Sequence, residues 1–327
     1  MENRVGVVII DYNSQERTVK YVNDLVSYSD VNIESIVIVD NSPGTKNTQQ
    51  LISAMNLVND QYEFDDVLCN KYSIGAMFSG TIKTTSIHVV KSLDNLGFAK
   101  GNNLGYLVLK LLEDINYVLF SNNDIQFVNQ KIEISKLISD IHNNENVGMV
   151  GPNVIGLDGK KQSPCKYITM FERIWKNYYF GILPFFNCFY VSDLISNAKS
   201  DYVYRVIGAF VLMESKVFSE VGMFDEGTFL YAEEMIMSER LLKNGYKVYY
   251  DCDVQLIHEE GYSTGKKAKT NISNKVAMRR NIIQSNIYYY SKYKNTSKIF
   301  TGITTVACNV HCSLLYLKYL VKMGGVD

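Results

Sequence analysis

The chain opens on Val5-Gly6-Val7-Val8-Ile9-Ile10, a continuous apolar run that breaks sharply into Asp11-Tyr12-Asn13. An apolar run without polar alternation reads as a parallel strand buried on both faces. Ser14 then stands at a helix-capping position, and Val19, Val22, Leu25 and Val26 recur on one face of the helix that follows. The pattern repeats. Ser35-Ile36-Val37-Ile38-Val39 predicts a second strand ending in the turn cluster Asp40-Asn41-Ser42-Pro43-Gly44. Ile87-His88-Val89-Val90 predicts a third, residues 98–112 a helix entered through a Gly/Asn loop, and Tyr117-Val118-Leu119-Phe120-Ser121 a fourth strand. Residues 56–82 show no clear period and are expected to form an irregular insertion. Strands are also expected over 202–213 and 246–250, and helix from Asn274 to near the end. Strands alternating with helices predict an α/β fold, a mostly parallel, doubly wound sheet flanked by helices on both faces.

At 327 residues the chain can hold one large α/β domain and an accessory region. Its six cysteines are scattered without the close pairs of a disulfide scaffold, and Cys308-Asn309-Val310-His311-Cys312 lacks a second ligand pair for zinc. Free thiols in a reducing cytosol are expected. Met1-Glu2-Asn3-Arg4 runs straight into the first strand, so no signal peptide is expected.

The net charge of −1 conceals an asymmetry. Between Glu260 and Asp327 no acid occurs, while nine lysines and two arginines do, so residues 261–327 carry +10 and the rest −11. Tyr262, Tyr288, Tyr289, Tyr290, Tyr293, Tyr316 and Tyr319 interleave with those bases. Basic and aromatic side chains on helices suit an anionic membrane surface. Nucleic acid is disfavoured, because the acidic main region would be repelled by it. The alternative is a basic face that docks on the acidic domain. Residues 301–320 are apolar, but Asn309, His311 and Lys318 interrupt them, so lying on a bilayer is favoured over spanning it.

Three stretches carry candidate chemistry. The fourth strand ends in Asn122-Asn123-Asp124, where an α/β sheet places ligands at its carboxyl edge. Oxygen-rich side chains there suit Mg²⁺ or Mn²⁺, which offset the charge of a departing diphosphate. His258 follows Val254-Gln255-Leu256-Ile257 and is a further candidate ligand. Glu233 and Glu234 open a helix whose buried side carries Met237, Leu241 and Leu242. Acids in a first turn offset the helix dipole, and one of them can also take a proton from an acceptor hydroxyl. The stretch from Asp94 to Gly105 spaces Gly97, Gly101 and Gly105 at a helix start, which permits close backbone approach and favours anions. It matches neither a P-loop nor a dinucleotide fingerprint, which disfavours a kinase or a dehydrogenase. Residues 166–191 are rich in aromatics and are read either as an acceptor wall or as packed core.

In this order the elements resemble the family 2 glycosyltransferases, in particular the bacterial rhamnosyl- and galactofuranosyltransferase-like branch. The resemblance runs from Val5 to about Tyr262. It rests on Val37-Ile38-Val39-Asp40-Asn41-Ser42, the loop from Asn95 to Gly105, and the strand end from Leu119 to Asp124. Gly151-Pro152-Asn153-Val154, Ile207-Gly208-Ala209-Phe210, the stretch Val221 to Glu226, Phe229 to Glu234, Gly245 to Tyr250, and Ile257-His258 complete it.

That resemblance implies a GT-A fold over residues 1–262; composition and pattern make 263–327 a basic, tyrosine-rich helical region. It implies that Asp40 holds the nucleoside with Tyr12 nearby, and that Asn95, Gly101 and Asn102 lie on the donor loop. Asn122 and Asp124 match the metal motif, His258 a further metal ligand, and Glu234 the catalytic carboxylate of a pair in which Glu233 also qualifies. Two residues depart from the pattern. Asn122 is neutral where an Asp is common, and Glu234 is one methylene longer than the usual Asp. The expected activity is inverting, Mn²⁺- or Mg²⁺-dependent transfer from a UDP- or dTDP-sugar to a lipid-linked glycan acceptor in bacterial surface polysaccharide synthesis. The enzyme is expected in the cytoplasm on the inner leaflet of the cell membrane, with no nucleic-acid partner and with homo-oligomerisation open. A sugar-phosphate nucleotidyltransferase and a non-catalytic sugar-nucleotide or glycan-binding protein remain as alternatives.

Overall fold

A computed structural model of the chain describes residues 3–60, 62–179, 190–259 and 272–324. The apolar runs form strands where expected: β1 (Val5–Asp11), β2 (Ile33–Asp40), β5 (Thr85–Ser92) and β6 (Tyr117–Asn122). Between them lie α1 (Gln15–Tyr28), α2 (Lys46–Met55), the segments β3 (Val58–Asp60), α3 (Asp66–Tyr72) and β4 (Ile74–Ile82), and α4 (Gly97–Leu112). Then follow β7 (Ile125–Phe127), α5 (Ile134–Asn143), β8 (Val147–Gly156), β9 (Asp201–Val203), β10 (Phe210–Glu214) and α6 (Ser215–Glu220). The last elements are α7 (Glu233–Lys243), β11 (Lys247–His258), α8 (Ile272–Tyr293) and α9 (Lys298–Gly324).

Among the described residues the strands form one sheet in the order β3-β4-β5-β2-β1-β6-β10-β8-β11-β7, with β9 pairing β11. The centre, β5-β2-β1-β6, is parallel throughout, and β8 with β11 is a second parallel pair. Antiparallel strands flank or join these pairs. Successive side chains of a strand point to opposite faces, so a run apolar at every position has to be covered twice. Val7 and Ile9 pack with Leu25, Leu51 and Leu137 from α1, α2 and α5, while Val8 and Val39 pack with Leu104, Phe218 and Leu241 from α4, α6 and α7. The mostly parallel sheet with helices on both faces is therefore the observed architecture.

Three local expectations are revised. Residues 56–82 are ordered as β3, α3 and β4, an antiparallel extension of the sheet edge. β4 is only half-buried at most positions, so its sequence lacks a core strand's signal. Ser14 sits at the N-cap of α1 but makes no side-chain cap bond, its hydroxyl donating to Asp11 Oδ2 at 3.2 Å instead. The strand expected over 202–213 is split: β9 pairs β11, β10 pairs β6, and the residues between turn toward a cavity.

The C-terminal helices pack on the face of α7. Met235 and Ile236 join Ile283, Ile287, Tyr289, Tyr290, Cys308 and Cys312 in a third apolar cluster. Two basic side chains of this region dock on acids of the sheet domain, Lys292 on Asp225 at 2.8 Å and Lys294 on Glu239 at 3.1 Å. Residues 260–271, which include Tyr262, lie outside the described residues, as do residues 180–189 of the aromatic stretch.

Candidate active site

Parallel pairing brings the carboxyl ends of β1, β2 and β6 to one edge, with Asp11 opposite Asp40 and Ile10 opposite Asn122. Asp40 is fully buried. Its Oδ1 accepts from Ser42 N and Asn47 Nδ2, both at 3.0 Å, and its Oδ2 from Thr48 Oγ1 at 2.5 Å. Asn47 Nδ2 also donates to Asp11 Oδ1 at 2.8 Å, so one amide ties the two strand ends together. Burial raises the Asp11 carboxyl above its ordinary range, against hydrogen bonds from Thr18, Ser14 and Asn47. Tyr12 lies half-buried just past β1.

The Gly/Asn stretch folds as the start of α4. Asn95 is exposed, with its Oδ1 accepting from Gly97 N at 3.0 Å, whereas Gly101 and Asn102 are buried in the first turns. Gly97 has φ +70°, and a Cβ there would come within 2.1 Å of Phe229 O. Only glycine allows that approach. Phe98 N donates to the same carbonyl at 3.0 Å, which locks this loop to the segment that leads into α7.

In that segment Tyr231 and Ala232 both have left-handed backbone, φ 76° and 73°. Two consecutive non-glycine residues there cost on the order of 1–2 kcal/mol each, a strain typical of functional sites. The turn sets Glu233 and Glu234 at the N-terminus of α7, where the dipole favours negative charge. Glu233 is buried, and that burial first, with the charge of Glu234 second, pushes its carboxyl well above the usual range. Glu234 is half-buried and its Oε1 accepts from Gly208 N at 3.0 Å. A Cβ on residue 208 would meet that carboxylate at 3.0 Å, so glycine leaves it room against the backbone.

Ala209, the next residue, accepts from Asn122 N at 2.9 Å through its carbonyl. Consecutive residues therefore anchor the α7 carboxylate and the end of β6. Past that end the three polar side chains diverge. Asn123 turns inward, donating to Ser14 Oγ at 2.8 Å and Thr18 Oγ1 at 2.6 Å. Asp124 faces His258, which the antiparallel pairing of β7 with β11 carries alongside, His258 opposite Ile125.

Asp124 Oδ1 and His258 Nε2 are 3.1 Å apart, and both side chains are buried. His258 Nδ1 faces Gln162 Oε1 at 2.7 Å, an acceptor, so Nδ1 carries the ring proton in this arrangement. Nε2 then presents a lone pair, with Asn122 Nδ2 at 3.4 Å. Asp124 Oδ1 has no hydrogen-bond donor among the described residues. Two lone-pair atoms at this distance need a second ring proton or a cation between them. A Mg²⁺-sized ion with ligands at ~2.1 Å and right angles spaces them about 3.0 Å apart, and a histidine that donates its other N–H to an oxygen is the usual arrangement at a metal. Asp124, His258 and Asn122 thus fit a small divalent cation, although among the described residues no three His, Cys, Asp or Glu side chains cluster.

Asn122, Asp124, His258, Gly208, Glu233 and Glu234 line one cavity of about 550 Å³. Sequence reasoning missed a further feature of its wall. Arg173 Nη2 and Arg205 Nη2 both bind Asp193 Oδ2, at 2.5 and 2.6 Å. Burial would raise the Asp193 carboxyl, but the two guanidinium groups overcome it and hold it below the ordinary range. Asp193 lies 20 positions after Arg173 and 12 before Arg205, so only their charge among aromatics could have pointed to them.

No family model matches the chain. It is 26% identical over 178 residues to the low-salt glycan biosynthesis hexosyltransferase Agl10 of Haloferax volcanii, covering 53% of this chain and 52% of that one. An N-acetylglucosaminyl-diphospho-decaprenol L-rhamnosyltransferase of Mycobacterium tuberculosis is 30% identical over 66 residues, 20% of this chain and 22% of the other. The chain thus spans about half the length of the first relative and a fifth of the second. The mannosyltransferase PcManGT from Pyrobaculum calidifontis, solved in complex with GDP-Man and Mn²⁺, superposes with a TM-score of 0.53 at 12% identity. That match covers 100% of this chain and 76% of that one, and it shows a shared fold. The sequence relationships are to glycosyltransferases.

Proposed function

We propose that the protein is an inverting glycosyltransferase of the family 2 type, transferring a sugar from a nucleotide diphosphate to an acceptor hydroxyl. The observation that carries this reading is the convergence of Glu234 with the Asp124–His258 pair on one cavity at the carboxyl edge of the parallel strands. In the reaction Glu234 takes the proton from the acceptor hydroxyl, and the oxygen attacks the anomeric carbon from the face opposite the nucleotide. A new C–O bond forms as the bond to the diphosphate oxygen breaks, and the nucleoside diphosphate leaves. Glu234 gains one proton and the anomeric configuration inverts. Asp124, His258 and Asn122 would hold a Mn²⁺ or Mg²⁺ ion, whose chemistry when bound is to offset negative charge on the diphosphate. Gln162 fixes the His258 ring, and Gly208 N–H orients Glu234. The carboxyl-edge strand ends, with Tyr12 and Asp40, and the exposed Asn95 of the α4 loop form the nucleoside side in this reading.

The test is a panel of nucleotide sugars, UDP- and dTDP-linked first, screened by thermal shift with and without Mn²⁺. A donor bound at one hundred times its Kd raises stability by about 2.7 kcal/mol, an upward shift of the melting temperature of several degrees. A panel without any shift, and without donor hydrolysis or transfer, would defeat the reading.

The diphospho-decaprenol compound in the name of the second relative supports a lipid-linked acceptor, which would be met at a membrane surface. α9 suits that place. Ile299, Ile303, Val306, Val310, Leu314 and Leu317 are all exposed and recur at helical spacing. The opposite face, with Thr304, Cys308, His311 and Cys312, is buried against the protein. By length and composition α9 can cross a membrane over Lys298–Leu317, but a helix with one face packed on a folded domain is better suited to lying in an interface. The surrounding bases suit anionic headgroups. The double substitution Val306→Glu, Val310→Glu is expected to reduce partition onto vesicles containing anionic lipid by about tenfold or more. Turnover of a water-soluble acceptor should stay unchanged. Undiminished vesicle binding would remove α9 from the membrane contact.

A further inference from the structure

We propose that Arg173 and Arg205, bridged by Asp193, form the subsite that takes the diphosphate of a lipid-linked acceptor. The inference rests on the glycosyltransferase reading for the identity of the ligand, and on the geometry of the cluster for its place. Two guanidinium groups share a single carboxylate oxygen, so these three side chains together carry one net positive charge. Each side chain is largely buried, 14% and 12% exposed, and each Nε is buried without a partner among the described residues. A pair built only to neutralise Asp193 would need one arginine. A second guanidinium brings more N–H donors than one carboxylate oxygen takes, and guanidinium donors match phosphate oxygens. Lys161 lines the same cavity.

Position decides which of the two diphosphates belongs there. The donor diphosphate has its own partner in the Asp124–His258 pair. Arg205 instead lies within the electrostatic reach of Glu234, the proposed base, which sits on the acceptor's side of the anomeric carbon. Inversion requires the attacking oxygen and the departing diphosphate to occupy opposite faces, so charge gathered near the base serves the acceptor. The Arg173 element points the same way. Its helical turn, Phe171–Tyr179, is held to α9 by Trp175 Nε1 donating to Thr304 Oγ1 at 3.1 Å and Tyr179 OH donating to Thr304 O at 2.9 Å. The other face of α9 carries the exposed apolar stripe. A lipid chain held along that stripe and a diphosphate held by Arg173 would be two ends of one molecule.

The experiment uses the full chain and farnesyl diphosphate as the probe, with farnesol as the uncharged control. Binding is measured by calorimetry in EDTA, so that no cation can hold the diphosphate at Asp124. Wild-type protein is expected to bind farnesyl diphosphate about tenfold or more tightly than farnesol. Arg173→Gln should lose most of that preference, and Arg173→Lys, which keeps the charge without the fork, should lose part of it. Nucleoside diphosphate binding in Mn²⁺ should be the same in all three proteins. An equal affinity of wild type for farnesol and farnesyl diphosphate would overturn the subsite. So would an Arg173→Gln variant that weakens the nucleotide as much as the prenyl diphosphate, since the arginines would then serve the donor. Failure of the glycosyltransferase reading registers separately, as wild-type protein that binds no nucleotide sugar while the EDTA measurement remains readable.

Discussion

Glu234→Gln is expected to lower the turnover of glycosyl transfer by about 10²–10⁴-fold, the usual contribution of a positioned general base, while nucleotide-sugar affinity stays within about twofold. Glutamine keeps the size of the side chain and the oxygen that accepts from Gly208 N–H, so the α7 N-terminus has no reason to move. What it loses is the capacity to bind the acceptor proton. Glu233 supplies the internal control. Its carboxyl is buried, and desolvation together with the charge on Glu234 keeps it protonated where an ordinary glutamate is ionised. Both carboxyls line the cavity, and Glu234 is the more exposed member, held there by Gly208 N–H. Glu233→Gln replaces a buried carboxyl whose pKa is pushed up to about 8, so it should cost far less turnover than Glu234→Gln. Single-turnover kinetics with saturating donor measure both variants. A larger loss in Glu233→Gln would reassign the base, and near-normal turnover in Glu234→Gln would remove it from the mechanism.

The parts of the fold that were legible are those in which one physical demand dominates. β1, β2 and β6 are apolar at nearly every position because two helical layers cover them, and their short length with polar turns at the end separates them from a buried helix. β4 faces weaker demands at the sheet edge, and with half-buried positions it carries no period that separates it from loop. β11 illustrates a different limit. Residues 246–250 and 254–257 read as two pieces, yet they are one strand whose pairing with β8 shifts register between Asp251 and Gln255. Asp251 Oδ1 holds that irregularity by accepting from Asp253 N at 2.7 Å and Val254 N at 3.1 Å. Only because the strand resumes does His258 reach Asp124. For the candidate site, the same division holds. Asp124, His258 and Glu234 ride on strand ends and a helix start, which a sequence pattern locates, and the fold gathers them on one cavity. Arg173 sits on the short helical turn Phe171–Tyr179, and Asp193 and Arg205 lie outside any named helix or strand, so their meeting depends on tertiary packing.

Asp124→Ala is expected to weaken Mn²⁺-dependent nucleotide binding by about 100-fold or more, since even partners one shell out from a metal cost 10–100-fold when removed. Without a cation, Asp124 Oδ1 is poorly provided for. It is buried, it has no hydrogen-bond donor among the described residues, and its neighbour at 3.1 Å is the Nε2 of a histidine whose Nδ1 faces Gln162 Oε1. Such an arrangement is unfavourable by itself and becomes favourable when a positive ion sits between the two atoms. Alanine removes the carboxylate that balances half of the ion's charge, and Asn122, a neutral amide, cannot replace it. Gln162→Leu separates positioning from ligation. It touches no bound ion, but it releases the His258 Nδ1 proton from its acceptor and lets the ring turn, so Mn²⁺-dependent affinity should fall by about tenfold. Calorimetry of nucleoside diphosphate with Mn²⁺ and with EDTA reads both effects, and neither variant should alter the small affinity that remains in EDTA. Undiminished Mn²⁺ dependence in Asp124→Ala would leave the alternative, an imidazolium paired with a carboxylate, as the account of these two side chains.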